Sequence, residues 1–217
     1  MKKIIDINSW ERRGNYEFFR NFASSWYSVT TEIECTRGIK ACKENGESFF
    51  LRYLYAVVCA ANEVKEMRFR VGPGGEPVLY DRIDIITPIK VEGKSFVTIR
   101  VPYEPDYETF CKEARHIIES IDPDDNPYKV QNEMAETGNF NVVHLSAVPK
   151  LYFTSMSFTL HETGNPCTHP LSVMGKAVER ENGKIIMPYS IYVDHAFVDG
   201  EHLTELFDKI QQKINRD

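Results

Sequence analysis

The sequence predicts a mixed α/β sandwich, in which helices pack against a sheet of mixed strand direction. Several segments of strand length alternate apolar and polar residues, four segments repeat apolar residues at helical spacing, and long strands are interspersed with helices. That order favours a mixed sandwich over a doubly wound parallel sheet. With 217 residues, of which 42% are hydrophobic, the chain can bury a sizeable core, and we expect a single domain over residues 1–217.

The first half of the chain predicts two helices and several strands. Residues 15–24 have helical apolar spacing, and residues 26–34 alternate and contain β-branched side chains, which is typical of a strand. Residues 48–64 form the strongest helical pattern, apolar on most of the circumference, and we expect burial on several sides. Residues 68–101 alternate between turn signals and predict several antiparallel strands.

The second half predicts two more helices around a series of strands. Residues 104–121 are an amphipathic helix with an acidic first turn, followed by a turn-rich segment at 122–129. Strands are predicted at residues 140–148, 150–160, 169–179 and 184–196. Beyond Gly200, helical spacing returns at Leu203, Leu206, Phe207, Ile210 and Ile214, and predicts the closing helix.

Composition excludes several classes of function. A net charge of −6 provides no electrostatic reason to expect nucleic-acid binding. The apolar run near the amino terminus stops within two residues, too short for a signal peptide, and no segment approaches a membrane span. The five cysteines are widely spaced and form no Cys-x-x-Cys pair, so we expect reduced thiols and a cytoplasmic protein.

Residues 185–200 are the most informative stretch for function. His195 has the same parity as the alternating apolar residues Ile185, Met187, Tyr189, Ile191 and Val193, so we expect it to share their buried face. An imidazole at a strand tip, backed by apolar surface, suits a general base working near neutral pH. A histidine there is also often a hydrogen-bonded core residue, and Asp199 also suits the N-cap of the closing helix.

Other patterns are better explained as ordinary structure. Residues 72–75 are rich in glycine, but no Gly-Lys-Ser/Thr and no helix follow, so a plain turn is expected. His195, Asp199 and His202 are spaced like metal ligands, yet a glycine and a change from strand to helix intervene, and we expect no metal. Cys167, close to His169 between two prolines, indicates a loop end and not a thiol nucleophile.

Residues 195–200 resemble the His-x-x-x-Asp-Gly signature of the CoA-dependent acyltransferases. Residues 7–22 look like the amino-terminal Trp-x-Arg segment and aromatic helix of one branch, the chloramphenicol acetyltransferases. Further segments align in order with that family at residues 49–71, 145–160, 171–202 and 207–212. The resemblance covers essentially the whole chain, is weakest between about residues 100 and 140, and implies the mixed-sheet sandwich of that family.

The resemblance implies direct transfer of an acetyl group from acetyl-CoA, a co-substrate, to a primary hydroxyl. His195 would take the proton from the acceptor, and Ser146 matches the family serine that stabilises the tetrahedral oxyanion. Asp199 would pair with the arginine of the amino-terminal segment, Arg12, and so fix the turn that presents His195. Arg13 is the weaker choice of partner.

The resemblance also assigns residues to the two substrates. Tyr27, Phe96 and Phe158 correspond to positions around an aromatic acceptor pocket. Lys176 matches a lysine near the CoA end, where a cationic side chain suits phosphate, and Lys150 replaces a tryptophan near the same tunnel. Under the ordinary interpretation, each of these is a core or surface residue.

The sequence departs from the family pattern at several positions. Asp194 stands where another histidine usually precedes the catalytic one, and Val173 stands where a threonine often holds a water. Phe50 and Ala177 each replace a tyrosine near the expected CoA tunnel. These changes affect acceptor identity and CoA binding more than the type of reaction.

The resemblance implies a homotrimer with active sites at subunit interfaces. It also implies that the protein acetylates chloramphenicol, a reaction associated with antibiotic resistance. One alternative is an acetyltransferase of the same fold that prefers another small hydroxyl acceptor. Another is a non-catalytic trimeric protein that only binds small molecules. The lipoyl-dependent acyltransferases share the short signature, but residues 7–22 look like the antibiotic enzymes instead.

Overall fold

The computed structural model describes residues 1–93, 96–159 and 169–216. The strands are, in chain order, β1 (Lys2–Ile4), β2 (Trp26–Glu34), β3 (Phe69–Val71), β4 (Pro77–Tyr80), β5 (Asp84–Ile89), β6 (Val97–Val101), β7 (Val142–Ala147), β8 (Leu171–Met174), β9 (Val178–Glu179) and β10 (Ile185–Asp194). The helices are α1 (Arg13–Phe19), α2 (Thr36–Asn45), α3 (Phe49–Glu63), α4 (Tyr107–Glu119), α5 (Lys129–Thr137) and α6 (Gly200–Ile214), with a 3₁₀ helix at Lys65–Arg68.

The main sheet has seven strands of mixed direction, which confirms the predicted mixed α/β class. Six of them lie in the order β2-β10-β8-β7-β5-β6, and β9 pairs with β10. β5, β7 and β8 run parallel to one another, whereas the pairs that involve β10 and the β5–β6 pair are antiparallel. A smaller sheet of β1, β4 and β3 is antiparallel throughout. β2 is an edge strand of the main sheet.

β10 lies inside the main sheet and is buried on both faces, not on one. Its odd-numbered residues from Met187 to Val193 pack into the main core, as the alternation predicts. The even-numbered positions from Ile186 to Asp194 are buried as well, and on that face Tyr192 packs against Phe158 and Trp26. The strand is therefore a rigid support for whatever follows Asp194.

α3 fills the centre of the molecule, as its apolar circumference predicts. Ser48 caps it, accepting a hydrogen bond from the Leu51 amide at 3.4 Å, and all residues from 51 to 61 are buried. Arg52 is among them and donates to the carbonyl oxygens of Ile214 and Arg216 at 3.3 and 2.8 Å. Those contacts satisfy carbonyl groups at the end of α6 that have no partner within the helix.

Two helices were not anticipated from the sequence. α2 contains Gly38 and few apolar residues, and α5 buries only Met134 on a largely polar surface. Both end at a glycine in the left-handed conformation, Gly46 at φ 67° and Gly138 at φ 61°. Tertiary contacts and these C-terminal glycines explain why the segments are helical. Neither feature appears in the spacing of apolar residues along the sequence.

Two strand predictions were wrong. Residues 151–159 form no strand, and residue 160 lies outside the described residues, as does Cys167. The predicted strand at 169–179 is divided into β8 and β9 at Gly175, where the backbone oxygen of Leu151 and the ring of Phe153 come too close to leave room for a side chain. Lys176 donates its amide hydrogen to the Leu151 carbonyl at 2.8 Å, so the chain turns away from the strand direction here.

Gly38 is the point at which α2 meets the end of α6. Its amide donates to the side-chain oxygen of Asn215 at 3.1 Å, and a Cβ at this position would overlap the backbone oxygen of Ile214. We expect Gly38→Ala to lower the free energy of unfolding by about 1–3 kcal/mol, as overpacking does. Gly14→Ala is the matched control, because that helical glycine has no heavy atom within 4 Å of the added methyl group. Equal urea midpoints for the two variants would contradict the close approach.

Within the described residues, no helix has both the length and the apolar character required to cross a bilayer.

Candidate active site

The turn after β10 holds the backbone around His195 from several sides. The His195 amide donates to the carbonyl of Ser25 at 2.8 Å, which extends the β2–β10 pairing by one step. The Asp194 carboxylate accepts from the Ala196 amide at 2.9 Å, and the Asp194 carbonyl accepts from the Val198 amide at 2.9 Å. Asp194 therefore stabilises the turn through hydrogen bonds to backbone amides, and its carboxylate has a structural role there.

The His195 ring lies between two aromatic side chains and is open on one side. It stacks on Phe19 at 4.1 Å between ring centroids and lies 4.5 Å from the Tyr27 ring. Its side chain is 37% exposed, so the expectation that it shares the buried face of β10 was wrong. Nδ1 is buried without a hydrogen-bond partner among the described residues, so the exposed part of the side chain lies on its other atoms.

Asp199 fixes the orientation of this ring electrostatically. Its two carboxylate oxygens accept hydrogen bonds from the Arg12 guanidinium at 3.0 and 3.1 Å, and Oδ1 lies 3.5 Å from Nδ1 of His195. Burial raises the pKa of Asp199, but the hydrogen bonds and charge of Arg12 lower it more, so the net pKa lies below the usual value. An ionised carboxylate beside Nδ1 favours the ring proton on that nitrogen and leaves the Nε2 lone pair free to accept a proton.

The Arg12–Asp199 pair is the one that the family resemblance implies, whereas Arg13 pairs with Glu17 at 2.7 Å on the surface. Tyr27 completes the arrangement, because its hydroxyl donates to the Val198 carbonyl at 3.1 Å. Burial, reinforced by the charge of Asp199, raises the pKa of Tyr27 to about 12, so it remains a neutral donor.

An aromatic cluster anchors the turn from behind. Phe197 stacks on Phe69 at 5.4 Å and lies within 5.4 and 6.2 Å of the rings of Tyr16 and Trp10. The Tyr16 hydroxyl donates to the Gly75 carbonyl at 2.6 Å, which ties the glycine-rich turn to the same cluster. Residues 72–75 therefore act as the plain turn that the sequence predicts. A cavity of about 390 Å³ lies behind this turn, but the His195 ring does not line it.

We call Arg12, Tyr27, His195 and Asp199 the histidine group. Phe19 belongs with it by contact and was not predicted as a site residue, because its apolar spacing in residues 15–24 is that of any amphipathic helix. A contact between an α1 aromatic and the strand tip is long-range, and nothing in the local sequence signals it.

Ser146 lies far from the histidine group within one chain. It pairs with Val173 of β8, which pairs with Ser190 of β10, and all three side chains point to the face opposite Val193 and Tyr27. With strands about 4.8 Å apart and residues about 3.3 Å apart along a strand, the Cα atoms of Ser146 and His195 are about 19 Å apart. One chain therefore does not bring this serine to the histidine.

The remaining predicted residues are spread over the sheet face of Ser146, the far edge of the sheet and the ends of β7 and β8. Phe158 stacks on Tyr192, on the same sheet face as Ser146, at 5.6 Å. Phe96 precedes β6 at the far edge of the sheet and contacts the Tyr128 ring at 5.7 Å. Lys150 and Lys176 are exposed beyond the ends of the parallel strands β7 and β8. We call the residues Phe96, Ser146, Lys150, Phe158 and Lys176 the serine group.

Loss of the Arg12–Asp199 fork should reduce activity and stability together. We expect Asp199→Asn to lower kcat by about 10²-fold, since small misplacement of a reacting group has that effect. It should lower the free energy of unfolding by about 1–3 kcal/mol, the typical value of a charged hydrogen bond. Because the folded pKa of Asp199 is depressed, this stabilisation is present above its unfolded pKa of about 4 and is lost as pH falls through the folded value.

The matched control is Arg13→Ala, which breaks an exposed pair of the same segment and should change stability by less than about 1 kcal/mol. Steady-state kinetics and urea unfolding of both variants test the difference. A stable, fully active Asp199→Asn protein would exclude the role assigned to the fork.

Comparison with known sequences identifies relatives over nearly the entire length. The sequence model of the family described as chloramphenicol acetyltransferase matches residues 2–211. A chloramphenicol acetyltransferase of Clostridium perfringens is 28% identical over 213 residues, which cover 96% of this chain and 93% of that relative. A chloramphenicol acetyltransferase of Proteus mirabilis is 29% identical over 210 residues, with 96% and 93% covered.

Comparison with solved structures also identifies similar proteins over nearly the entire chain. A structure named chloramphenicol acetyltransferase superposes with a TM-score of 0.93 at 45% identity, covering 99% of this chain and 100% of that chain. A dihydrolipoamide acetyltransferase of Azotobacter vinelandii superposes with a TM-score of 0.61 at 12% identity, covering 93% and 86%. The second likeness concerns the fold alone.

Proposed function

Because the chain belongs to the chloramphenicol acetyltransferase family, we propose that it transfers the acetyl group of acetyl-CoA to the primary hydroxyl of chloramphenicol. The observation that carries this proposal for the chain itself is the half-exposed His195 ring, with Nδ1 beside the arginine-paired Asp199. With the ring proton on Nδ1, the Nε2 lone pair can accept the proton of an alcohol.

His195 acts as a general base in a complex with both substrates. Nε2 takes the hydroxyl proton as the acceptor oxygen attacks the thioester carbonyl, and the carbonyl oxygen becomes an oxyanion that accepts a hydrogen bond from the Ser146 hydroxyl. The carbon–sulfur bond then breaks, and the leaving thiolate receives the proton from the imidazolium. The products are the acetyl ester and free CoA, and no covalent acetyl-enzyme is formed. Preorganised donors of this kind stabilise the transition state most when charge develops on the oxygen.

The active site is shared between copies of the chain in a homotrimer. The histidine and serine groups are too far apart in one chain to act on one carbonyl, so a second copy must supply the missing half. Two surfaces of the histidine side suit such a contact. β2 is an edge strand of nine residues, and the rings of Phe18 and Phe22, 59% and 52% exposed, contact the ring of Phe19.

Each group also contributes to substrate binding. Tyr27 from the histidine side and Phe96 and Phe158 from the serine side would line the acceptor pocket, where aromatic walls suit a nitrophenyl ring. Lys150 and Lys176 are exposed, and their segments adjoin, since the Lys176 amide donates to the Leu151 carbonyl. Both lysines would pair with phosphate groups of CoA. We place the enzyme in the cytoplasm, since Cys35, Cys42, Cys59 and Cys111 are free, buried thiols.

A thiol-release assay tests the proposed function. Purified protein with acetyl-CoA should release CoA when chloramphenicol is added, and should not do so with an analogue whose primary hydroxyl is already acetylated. Release with other small alcohols but not with chloramphenicol would favour the acetyltransferase with another acceptor. Binding of chloramphenicol without release for any alcohol would favour a binding protein and contradict the proposal.

A further inference from the structure

His202 lies in the first turn of α6 and contacts the backbone of Asp199. Its Nδ1 accepts a hydrogen bond from the Asp199 amide at 2.9 Å. A ring nitrogen that accepts a hydrogen bond carries no proton, so the neutral ring has its proton on Nε2. That nitrogen lies 3.8 Å from a carboxylate oxygen of Glu66 in the 3₁₀ helix. This distance is too long for a direct hydrogen bond, but the negative charge favours a proton on the nearer nitrogen.

The contact fixes the end of the turn that carries His195. The beginning of the turn is held by Asp194, which accepts from the amides of Ala196 and Val198. The Asp199 side chain is held by Arg12, but nothing in that fork fixes the Asp199 backbone. The hydrogen bond to His202 holds the Asp199 amide, and the Asp199 carbonyl accepts from the Leu203 amide at 3.1 Å. Of these two contacts, only the one to His202 uses a side chain, and it helps to place the Asp199 carboxylate 3.5 Å from Nδ1 of His195.

We propose that His202 is a positioning residue for the acetyl transfer, which acts through Asp199 on the orientation of His195. This inference rests on the proposed function for its kinetic consequence, but the geometry of the contact is independent of activity. The contribution of His202 is to keep the carboxylate of Asp199 beside the buried nitrogen of the base.

Two substitutions separate positioning from simple helix stability. Glutamine at the third position of a helix naturally accepts from the N-cap amide, so His202→Gln should retain the contact. His202→Ala removes it. We expect kcat to fall about 10- to 100-fold in His202→Ala, to stay within about threefold of wild type in His202→Gln, and KM for both substrates to change little in either. His116→Ala, an exposed histidine on α4, is the matched control and should leave kcat unchanged.

A nitrogen NMR spectrum of the histidine rings provides the second readout. The wild type should show His202 with an unprotonated Nδ1, and the His195 ring should shift in His202→Ala but not in His202→Gln. Loss of thermal stability in His202→Ala with unchanged kcat and an unmoved His195 ring would overturn the proposal. Failure of the proposed function is distinct, because the wild type would then release no thiol while the ring shifts could still be read.

Discussion

Replacement of His195 by alanine is expected to lower kcat by about 10²–10⁴-fold, the range that a positioned general base supplies. The structure assigns this loss to chemistry and not to folding. The ring is 37% exposed at the end of β10, and the backbone of the turn is held by contacts of Ser25 and Asp194 that do not involve the imidazole. Thiol release in the presence of chloramphenicol should therefore disappear, while the unfolding midpoint changes little.

His116→Ala serves as control for this variant too, because it removes an exposed imidazole far from the turn. Circular dichroism and urea unfolding establish that both proteins are folded before their rates are compared. Turnover near the wild-type rate in His195→Ala would eliminate the imidazole as base, whatever the quality of the family match.

Replacement of Ser146 by alanine is expected to lower kcat by about 10²–10³-fold, which is typical for removal of one oxyanion donor. KM should change little, because a hydrogen bond to the oxyanion strengthens in the transition state and contributes little to the ground state. Steady-state kinetics with acetyl-CoA and chloramphenicol varied in turn measure both parameters.

Ser190→Ala is the matched control, since Ser190 lies on the same sheet face and in the same row as Ser146. Its hydroxyl bonds to the Thr30 hydroxyl at 3.0 Å, and its loss should affect stability more than kcat. A Ser146→Ala effect confined to KM, or equal effects of the two serine variants on kcat, would contradict the role of oxyanion donor.

Much of the fold could be predicted from periodicity because the long elements bury continuous apolar surface. β2 was predicted at residues 26–34 and forms at Trp26–Glu34, and the helical pattern at 48–64 becomes α3 at Phe49–Glu63. α2 and α5 were missed because they are short and polar, and contacts such as that of Gly38 with the end of α6 stabilise them. Residues 151–159 alternate in sequence but form no strand, so alternation alone was misleading there.

The candidate site shows the same limit. Parity predicted that His195 would share the buried face of β10, which was wrong because the chain turns directly after Asp194 and exposes the ring. The family resemblance implied the pairing of Arg12 with Asp199, which the structure contains across 187 positions of sequence. Phe19 could not be identified, because its stacking contact depends on tertiary geometry. The contact of His202 is local, within the first turn of α6, but the residue usual at that position is Glu or Gln and not histidine.

The central claim is that His195 of one chain and Ser146 of another act on the same thioester, and co-expression of the two inactive variants tests it most directly. In a cyclic trimer that contains both differently tagged His195→Ala and Ser146→Ala chains, both intact residues meet at about one third of the interfaces. The account predicts that purified mixed oligomers regain about one third of the wild-type kcat per chain. Mixed oligomers no more active than the two variants alone would contradict it.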